Sequence, residues 1–512
     1  MPDILLTTLN ARYQHCAFGL RYLRANLGNL RLRSEILEFD ISQRPVDVAE
    51  SLLARSPRII GFGVYIWNAT ATREVMDIIK RVRPEVVLIA GGPEASYELD
   101  RNPILQVADY VITGEADLSF VRVCGELLSD QTPSTKVIAS ELPEFSRLTL
   151  PYDEYNDEDV ANRIIYVEAS RGCPFSCEFC LSSLDIPVRQ SPQEAFLENL
   201  KRLLTRGVKQ FKFVDRTFNL NVQASRGILE FLLAHYETGL FFHFEMVPDR
   251  LPEALREIIE RFPAGALQFE VGIQTFNPEV GSLIKRRQDY GRLAENFFFL
   301  RQKTGVHIHA DLIAGLPGES WESFGAGFDR LVALGPQEIQ VGILKRLRGT
   351  HISRHDEEWE MIYNPQPPYE ILQNRLVNFE KMQELRRFAR YWDLVGNSGN
   401  FIETTSLLLR RDEAGGSPFA EFMAWSRWLH RQVGRTDGIA LVRLMELLFH
   451  YLTDERNVDP HTTAAALWRD YQRGGRHDKP SFLKDFLSDN LRVDPSPHNV
   501  RGLPKRQARH IA

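Results

Sequence analysis

The chain of 512 residues is 43% hydrophobic and 25% charged, with a formal net charge of −6. This ordinary globular balance demands neither nucleic acid nor a membrane surface as partner, and the length implies about three domains rather than one core. No apolar run approaches the ~18 residues of a spanning helix. The start, Met-Pro-Asp-Ile-Leu-Leu, lacks the charged and apolar regions of a secretory signal. Five cysteines, three of them grouped, suit a metal site in a reducing, cytoplasmic setting better than a disulfide frame.

Residues 1 to about 140 alternate short apolar runs with helical patterns. Asp3–Thr8 reads as a strand, 17–30 as a helix, Arg58–Tyr65 as a second buried strand and 69–82 as its helix. Val86–Ala90 ends in Gly91-Gly92-Pro93, and Tyr110–Thr113 ends in Gly114-Glu115. Such alternation predicts a doubly wound, Rossmann-like parallel sheet. Glycines just past its strand ends allow a ligand close to the backbone at the carboxyl edge. A polar, proline-bearing stretch at 141–163 reads as a linker.

A second alternating series follows over 164–350. Its strands are expected at 164–169, 210–214, 240–246, 267–274, 306–313 and 338–344, with helical patterns between them such as 192–206 and 252–262. Six β/α units in this length predict a partial (β/α)6 barrel. From 351 to 512 strand signals fade, and 370–391, 419–432, 440–452 and 462–472 read as amphipathic helices of a mostly α-helical domain. The tail 501–510 is locally basic and reads as a solvated terminus.

The segment Ala169-Ser-Arg-Gly-Cys-Pro-Phe-Ser-Cys-Glu-Phe-Cys180 follows the first strand of the second series. Cys173, Cys177 and Cys180 can hold three irons of a 4Fe–4S cluster, and Cys16 and Cys124 lie too far upstream to supply the fourth thiolate that an electron carrier uses. One iron stays open to bind a small molecule. A zinc knuckle wants four ligands in two close pairs, and no histidine or cysteine follows Cys180 at suitable spacing. Polar residues then recur at later strand ends, where parallel barrels keep their active groups. They are Asp215, Glu245, Glu270, Gln274 and Asp311, with Arg286 one helix after Gln274.

This three-cysteine loop, with Phe179 before its last thiol, resembles the radical S-adenosylmethionine (SAM) superfamily, in which the open iron chelates the amino and carboxylate groups of SAM. Gly272-Ile-Gln-Thr-Phe-Asn-Pro and Asp311-Leu-Ile-Ala-Gly-Leu-Pro-Gly-Glu319 are similar to signatures of the subgroup that includes oxygen-independent coproporphyrinogen oxidases. The resemblance implies SAM contacts at Phe179, Glu245, Gln274, Arg286 and Asp311, with Gly315 and Gly318 letting backbone approach the adenine. Asp215-Arg-Thr-Phe-Asn219 stands where the family usually carries Gly-Gly-Glu, so Asp215 is the implied contact to the SAM amine. A carboxylate can take both ribose hydroxyls, and a guanidinium can pair with the methionyl carboxylate.

The first 140 residues resemble the cobalamin-binding domain that precedes many radical SAM enzymes. The pieces carrying the likeness are Gly19-Leu-Arg-Tyr-Leu, Gly61-Phe-Gly-Val-Tyr-Ile-Trp-Asn68, Gly91-Gly-Pro-Glu-Ala-Ser and Thr113-Gly-Glu-Ala-Asp117. They imply cobalamin contacts at Tyr65, Trp67, Asn68, Gly91, Gly92, Pro93, Gly114 and Glu115. The D-x-H-x-x-G motif of a lower cobalt ligand is absent, as it often is in radical SAM relatives, and His15 reads as a surface loop residue. The related methylthiotransferases carry three cysteines in this domain, where the present chain has two. The C-terminal region resembles the helical region of uncharacterised function that trails some of these proteins, its aromatics reading as core.

Together the resemblances imply a cobalamin-dependent radical SAM enzyme, a methyltransferase at an unactivated carbon. Its implied cofactors are a 4Fe–4S cluster, SAM and cobalamin, with electrons from a flavodoxin- or ferredoxin-type donor. Rearrangement or cyclisation without methyl transfer, a cobalamin-free radical SAM enzyme, and a SAM or redox sensor that never turns over are the competing readings. No residue pattern identifies the substrate.

Overall fold

The computed structural model describes residues 1–185, 187–410, 416–487 and 503–511. Packing divides the chain into two units: residues 1–216, 345–353 and 364–370, and residues 217–344, 354–363 and 371–512.

The first unit is built on six parallel strands: β1 (Ile4–Asn10), β2 (Ser34–Asp40), β3 (Ile59–Gly63), β4 (Val87–Gly91), β5 (Tyr110–Thr113) and β6 (Val137–Ala139). They lie in the order β2-β1-β3-β4-β5-β6, the doubly wound arrangement whose direction reverses between β1 and β3. Strand geometry sends alternate side chains to opposite faces. Leu5 and Leu9 of β1 join Val75, Met76 and Ile79 in one core, while Ile4 and Leu6 join Leu20, Phe120 and Val123 in the other. Helices on both faces bury β1 along its whole length, which is why it reads as a continuous apolar run.

The stretch expected as a linker is folded into this unit. Tyr152 and Tyr155 are 1% exposed, the Tyr152 hydroxyl donates to the Glu168 carbonyl at 3.2 Å and the Tyr155 hydroxyl to the Tyr166 carbonyl at 2.8 Å. Helix Asp157–Asn162 opens on a capping box between Asn156 and Asp159. Asp159 then meets Arg21 and Arg163 at 2.8 and 3.0 Å, and Glu38 meets the same two cations at 2.8 and 2.7 Å. Polar composition here marks a buried ion network rather than a free connection.

This unit also contains β7 (Ile165–Val167), paired in parallel with β10 (Gln210–Phe213), and the short antiparallel pair β8 (Ser170–Arg171) and β9 (Arg189–Gln190). The second unit holds four parallel strands, β11 (Phe241–Met246), β12 (Leu267–Gln274), β13 (His307–Ala314) and β14 (Glu338–Ile343). All six strands expected of the second series are therefore present.

Among the C-terminal helices of the second unit are 379–394, 418–433, 441–450 and 460–473. The first starts later than its sequence pattern suggests, because Ile371–Gln373 forms a strand instead. Phe328, Phe388, Trp392 and Phe422 pack edge to face there, and Phe419 meets Phe324 in the same way, as core.

The basic tail is likewise ordered where described. Lys505–Ile511 is a helix, and Arg506 bridges Glu338 and Asp393, each at 2.9 Å. Gln507 donates to Gln268 at 2.6 Å, and the rings of His510 and His307 lie 5.2 Å apart. The helix thus docks on the amino ends of β12, β13 and β14. Buried acceptors at those strand ends, not solvent, take its polar groups. Residues 501–502 of the expected tail lie outside the described residues.

Candidate functional site

In the first unit the three-cysteine loop leaves β8 at Gly172 and returns to β9. Gly172 has φ +90°, and a Cβ there would lie 2.7 Å from the Asp185 carbonyl oxygen and 2.8 Å from that of Pro187, so only glycine closes this stem. The Cys173 amide donates to the Asp185 carbonyl at 3.0 Å, and the Cys180 amide to the Cys177 carbonyl at 3.2 Å. Cys173 and Cys177 are buried, while Cys180 and Phe179 are half-buried.

None of the five cysteines is in a disulfide. Burial pushes the Cys16 thiol up to about 12 and the Cys124 thiol higher still; both stay protonated and serve as core. The donor set of the loop is therefore three thiols and no fourth, which fits a cluster with one open iron. No three His, Cys, Asp or Glu side chains among the described residues are arranged to hold a metal ion. Cluster thiolates each take a different iron and need not converge on one point.

Asp215 is placed beneath this loop. It is 1% exposed, accepting from the Ala169 amide at 3.0 Å and the Ser170 hydroxyl at 2.6 Å. Burial pushes its carboxyl up to about 6 against those hydrogen bonds. The carboxyl expected on the SAM amine is spent bracing the stem of the cysteine loop.

At the carboxyl edge of the first sheet lies a cavity of about 210 Å³, open to solvent and walled by Gly61, Gly91, Gly92, Gly114, Tyr65 and Glu115, among others. Gly92 has φ +101°, and a Cβ there would meet the Val64 carbonyl oxygen at 2.6 Å. Its glycine walls let a flat ring lie close against backbone, and its open side leaves the rest of a large cofactor room to extend outward. Five of the eight residues expected at cobalamin line it.

Asn68 does not. It is fully buried, accepts from the Tyr65 amide at 2.8 Å and donates to Thr8, Leu9 and Gly63 at 2.9–3.1 Å. Its side chain ties the end of β3 to β1. Trp67 stacks on Tyr65 with centroids 4.6 Å apart and donates to the Leu9 carbonyl, and Pro93 is exposed outside the lining.

Sequence reasoning passed over Arg171, which also lines this cavity. Its guanidinium reaches Glu168, Glu115 and Asp117 at 2.8, 2.9 and 3.0 Å. Burial lifts the Glu168 carboxyl to about 7 despite Arg171. A single Arg before a Gly-Cys pair carries no sequence signal of its own, since its partners lie upstream in another motif.

In the second unit, strand register sets Glu245, Glu270, His309 and Glu338 side by side across β11–β14. One imidazole thus stands among three carboxylates. Burial lowers the His309 pKa, but Asp311 at 3.3 Å, Glu338 and Glu270 outweigh it and hold it at about 9. His243 meets Glu270 at 2.9 Å. Neither histidine was singled out from sequence, where a strand histidine looks like any half-buried polar residue. Burial lifts Asp311 to about 6, with His309 opposing.

Because the His309 pKa is raised above its unfolded value of 6.5, its contribution is whole below pH 6.5 and lost as pH rises through 9. That amounts to about 3 kcal/mol over the window. Melting temperature should fall across this range in the native chain and stay nearly flat in His309→Gln; an identical alkaline arm in both would remove the assignment.

Strand β12 ends in a register shift between Gly272 and Gln274, where Gln274 adopts φ +72°. Left-handed backbone at a glutamine is strained and marks a site where surrounding structure imposes it. Arg286 donates to the Gly272 carbonyl, and the Gln274 amide nitrogen lies 2.5 Å from where a Gly272 Cβ would stand. Gln274 and Arg286, far apart in sequence terms, are thereby neighbours. Glu319 accepts from Thr275 and Ser323, each at 2.9 Å, so the last residue of Gly-Leu-Pro-Gly-Glu braces the Gly-Ile-Gln-Thr turn.

Gly315 and Gly318 take φ +88° and +78°. The room expected for an adenine at these glycines is filled by packing: a Cβ at 315 would lie 2.6 Å from Ile371, and one at 318 would lie 2.8 Å from Leu283. Gly315→Ala should cost about 2–4 kcal/mol, combining backbone strain with overpacking. Gly434, at φ +65° with open space around it, isolates the strain alone. Urea melts should show Gly315→Ala losing clearly more than Gly434→Ala, and equal losses would remove the packing argument.

Comparison with known proteins finds three matched stretches. Residues 4–123 match the B12 binding domain, 167–331 the radical SAM superfamily, and 357–502 a protein of unknown function (DUF4080). The chain is 24% identical over 311 residues to the "Uncharacterized methyltransferase PH0819" of Pyrococcus horikoshii, covering 54% of this chain and 64% of that one. It is 22% identical over 331 residues to the "Cobalamin-dependent radical SAM methyltransferase TokK" of Streptomyces tokunonensis, covering 56% and 47%. The chain therefore spans less than two thirds of these curated relatives. The solved cobalamin-dependent SAM radical enzyme OxsB, with aqua-cobalamin bound, superposes with TM-score 0.59 at 13% identity over 92% of this chain and 80% of that one, a likeness of fold. The thiol loop thus falls inside the stretch matched to the radical SAM superfamily, and the glycine loops of the cavity inside the stretch matched to the B12 binding domain.

Proposed function

We propose that the chain is a cobalamin-dependent radical SAM methyltransferase acting on an unactivated carbon. One observation carries the reading: a loop offering three thiols and no fourth stands in the same packing unit as a glycine-walled cavity at the carboxyl edge of a doubly wound sheet. When bound, the cluster with SAM supplies a 5′-deoxyadenosyl radical and cobalamin supplies the methyl group; the chain orients them and excludes water.

Cys173, Cys177 and Cys180 hold the cluster, and Phe179 covers its approach. Arg286 and Gln274, set by the strained turn, take the polar groups of SAM, and Glu245 and Asp311 accept from its hydroxyls and amine. The glycine loops at 61–63, 91–92 and 114 admit cobalamin. The domain limits follow the sequence reading, with cobalamin binding up to about residue 140, the barrel over 164–350 and the helical region beyond. Its five thiols outside any disulfide suit the reducing cytoplasm and a flavodoxin- or ferredoxin-type donor. No helix among the described residues is long and apolar enough to cross a membrane.

The test uses anaerobically purified, cluster-reconstituted protein with SAM labelled in its methyl group. Iron, bound cobalt, 5′-deoxyadenosine release and label on the cobalamin support the proposal. Cleavage of SAM without cobalt binding leaves a radical enzyme that does not transfer methyl groups. SAM binding with no cleavage under strong reductant leaves a sensor.

A further inference from the structure

Arg171 stands at a junction that neither cofactor site explains alone. It is two residues before Cys173 and forms part of the wall of the cobalamin cavity. Its partners Glu115 and Asp117 belong to the Thr113–Asp117 loop that closes β5, on the other side of the same wall.

The return strand repeats the pattern. Arg189 lies directly opposite Arg171 in the β8–β9 pairing. It donates to the same Glu115, at 3.0 Å through one nitrogen and closer through the other. Arg189 also meets Asp185 at 2.9 Å, and the Asp185 carbonyl holds the Cys173 amide. Both ends of the cysteine loop are therefore gripped by one carboxylate of the cavity wall.

The clamp is stiff. The Arg171 side chain is 12% exposed, and its guanidinium lies over the rings of Tyr22 and Phe145 at 4.2 and 5.2 Å. A planar fork held by carboxylates on three sides and by two rings keeps one geometry. Burying two cations among Glu115, Asp117, Glu168 and Asp185 is costly unless the arrangement secures something beyond stability.

We propose that Arg171 is a positioning residue which, with Glu115 and Arg189, couples the two cofactor sites, so that the cluster and cobalamin each strengthen the other's binding. This rests on the proposed function, since both cofactors must bind. Cobalamin in the cavity fixes the loop carrying Glu115 and Asp117, and the clamp passes that order to the stem of the cysteine loop. The cluster fixes the same stem from its other end. Linkage makes the effect reciprocal, and couplings of this kind span about 5–150-fold in affinity.

The experiment titrates hydroxocobalamin into the full chain with and without the reconstituted cluster, reading bound cobalamin by absorbance. In the native chain the cluster should tighten cobalamin binding by a factor within about 5–150-fold. Arg171→Lys keeps the charge but loses the fork. It should bring that factor, taken as the ratio of the variant's own affinities with and without cluster, close to one. Arg189→Gln, at the far end of the clamp, should lower the factor too, and it decides the matter if Arg171→Lys does not fold. Cobalamin that binds equally with and without cluster overturns the coupling and leaves the proposed function standing, as does a full factor retained in both variants. Absence of cobalamin binding in either form overturns the proposed function and the coupling together.

Discussion

Cys177→Ala is expected to reduce 5′-deoxyadenosine release from SAM by more than about 10³-fold, because no side chain of the protein substitutes for cofactor chemistry. Iron content after anaerobic reconstitution should fall with it. Two internal controls are available in Cys16 and Cys124. Burial keeps both thiols protonated, and Cys16 contributes at most a long contact of 3.8 Å to Asp159. Cys16→Ala and Cys124→Ala should retain iron and cleavage, at the stability cost of a lost core side chain. A loss of iron in either of these, or its retention in Cys177→Ala, would falsify the assignment of the cluster to the loop.

Arg21→Ala is expected to destabilise the first unit by about 3–5 kcal/mol, the range for breaking a buried ion pair from one side. Arg21 is 3% exposed and shares Glu38 and Asp159 with Arg163, while lying 4.8 Å over the ring of Tyr155. Removing it leaves two buried carboxylates on one cation. The network also has a pH signature. Burial would raise the Glu38 carboxyl, but Arg21 and Arg163 outweigh it and hold it at about 2.

A depressed folded value stabilises above the unfolded 4.5 and is lost as pH falls toward 2, by about 3 kcal/mol. Arg21→Ala should therefore lose stability at neutral pH and show a shallower acid arm. Urea melts at pH 7 and pH 4 separate the two effects. A loss near zero at pH 7 would mean the network is dispensable. Arg21→Met, similar in volume, distinguishes lost charge from lost packing.

Much of the fold was legible because its signals are local. Helix 69–82 and strands 110–113 and 267–274 coincide with their sequence patterns, where apolar residues recur at one period without interruption. Strands β2 and β6 went unread. Both are edges of the first sheet, and β2 mixes polar and apolar residues, nearly all half-buried, in Ser-Glu-Ile-Leu-Glu-Phe-Asp without a clean period. The segment 141–163 was misread because proline and acidic residues look solvated until their partners are known.

The site divides along the same line. Three thiols at fixed spacing announce themselves, since their chemistry is written within eight residues. Asp215 and Asn68 were read as ligand contacts because a polar residue after a strand looks the same whether it serves a ligand or the backbone. Only three-dimensional neighbours distinguish them. Arg171 and His309 were missed for the converse reason: their roles depend on partners, Glu115 for one and the carboxylate row for the other, that sequence does not place beside them.

The helix Lys505–Ile511 carries a consequence for biosynthesis. Gln268 waits for a partner 239 positions later, and Glu338 for Arg506. At ribosomal speeds of about 5–20 residues per second, roughly 10–50 s pass between the synthesis of β12 and that of the helix that caps it. During that interval the nascent chain presents a strand end with buried-type polar groups still open to water or to other proteins. Until then these groups stay hydrated, and the helix displaces that water when it docks.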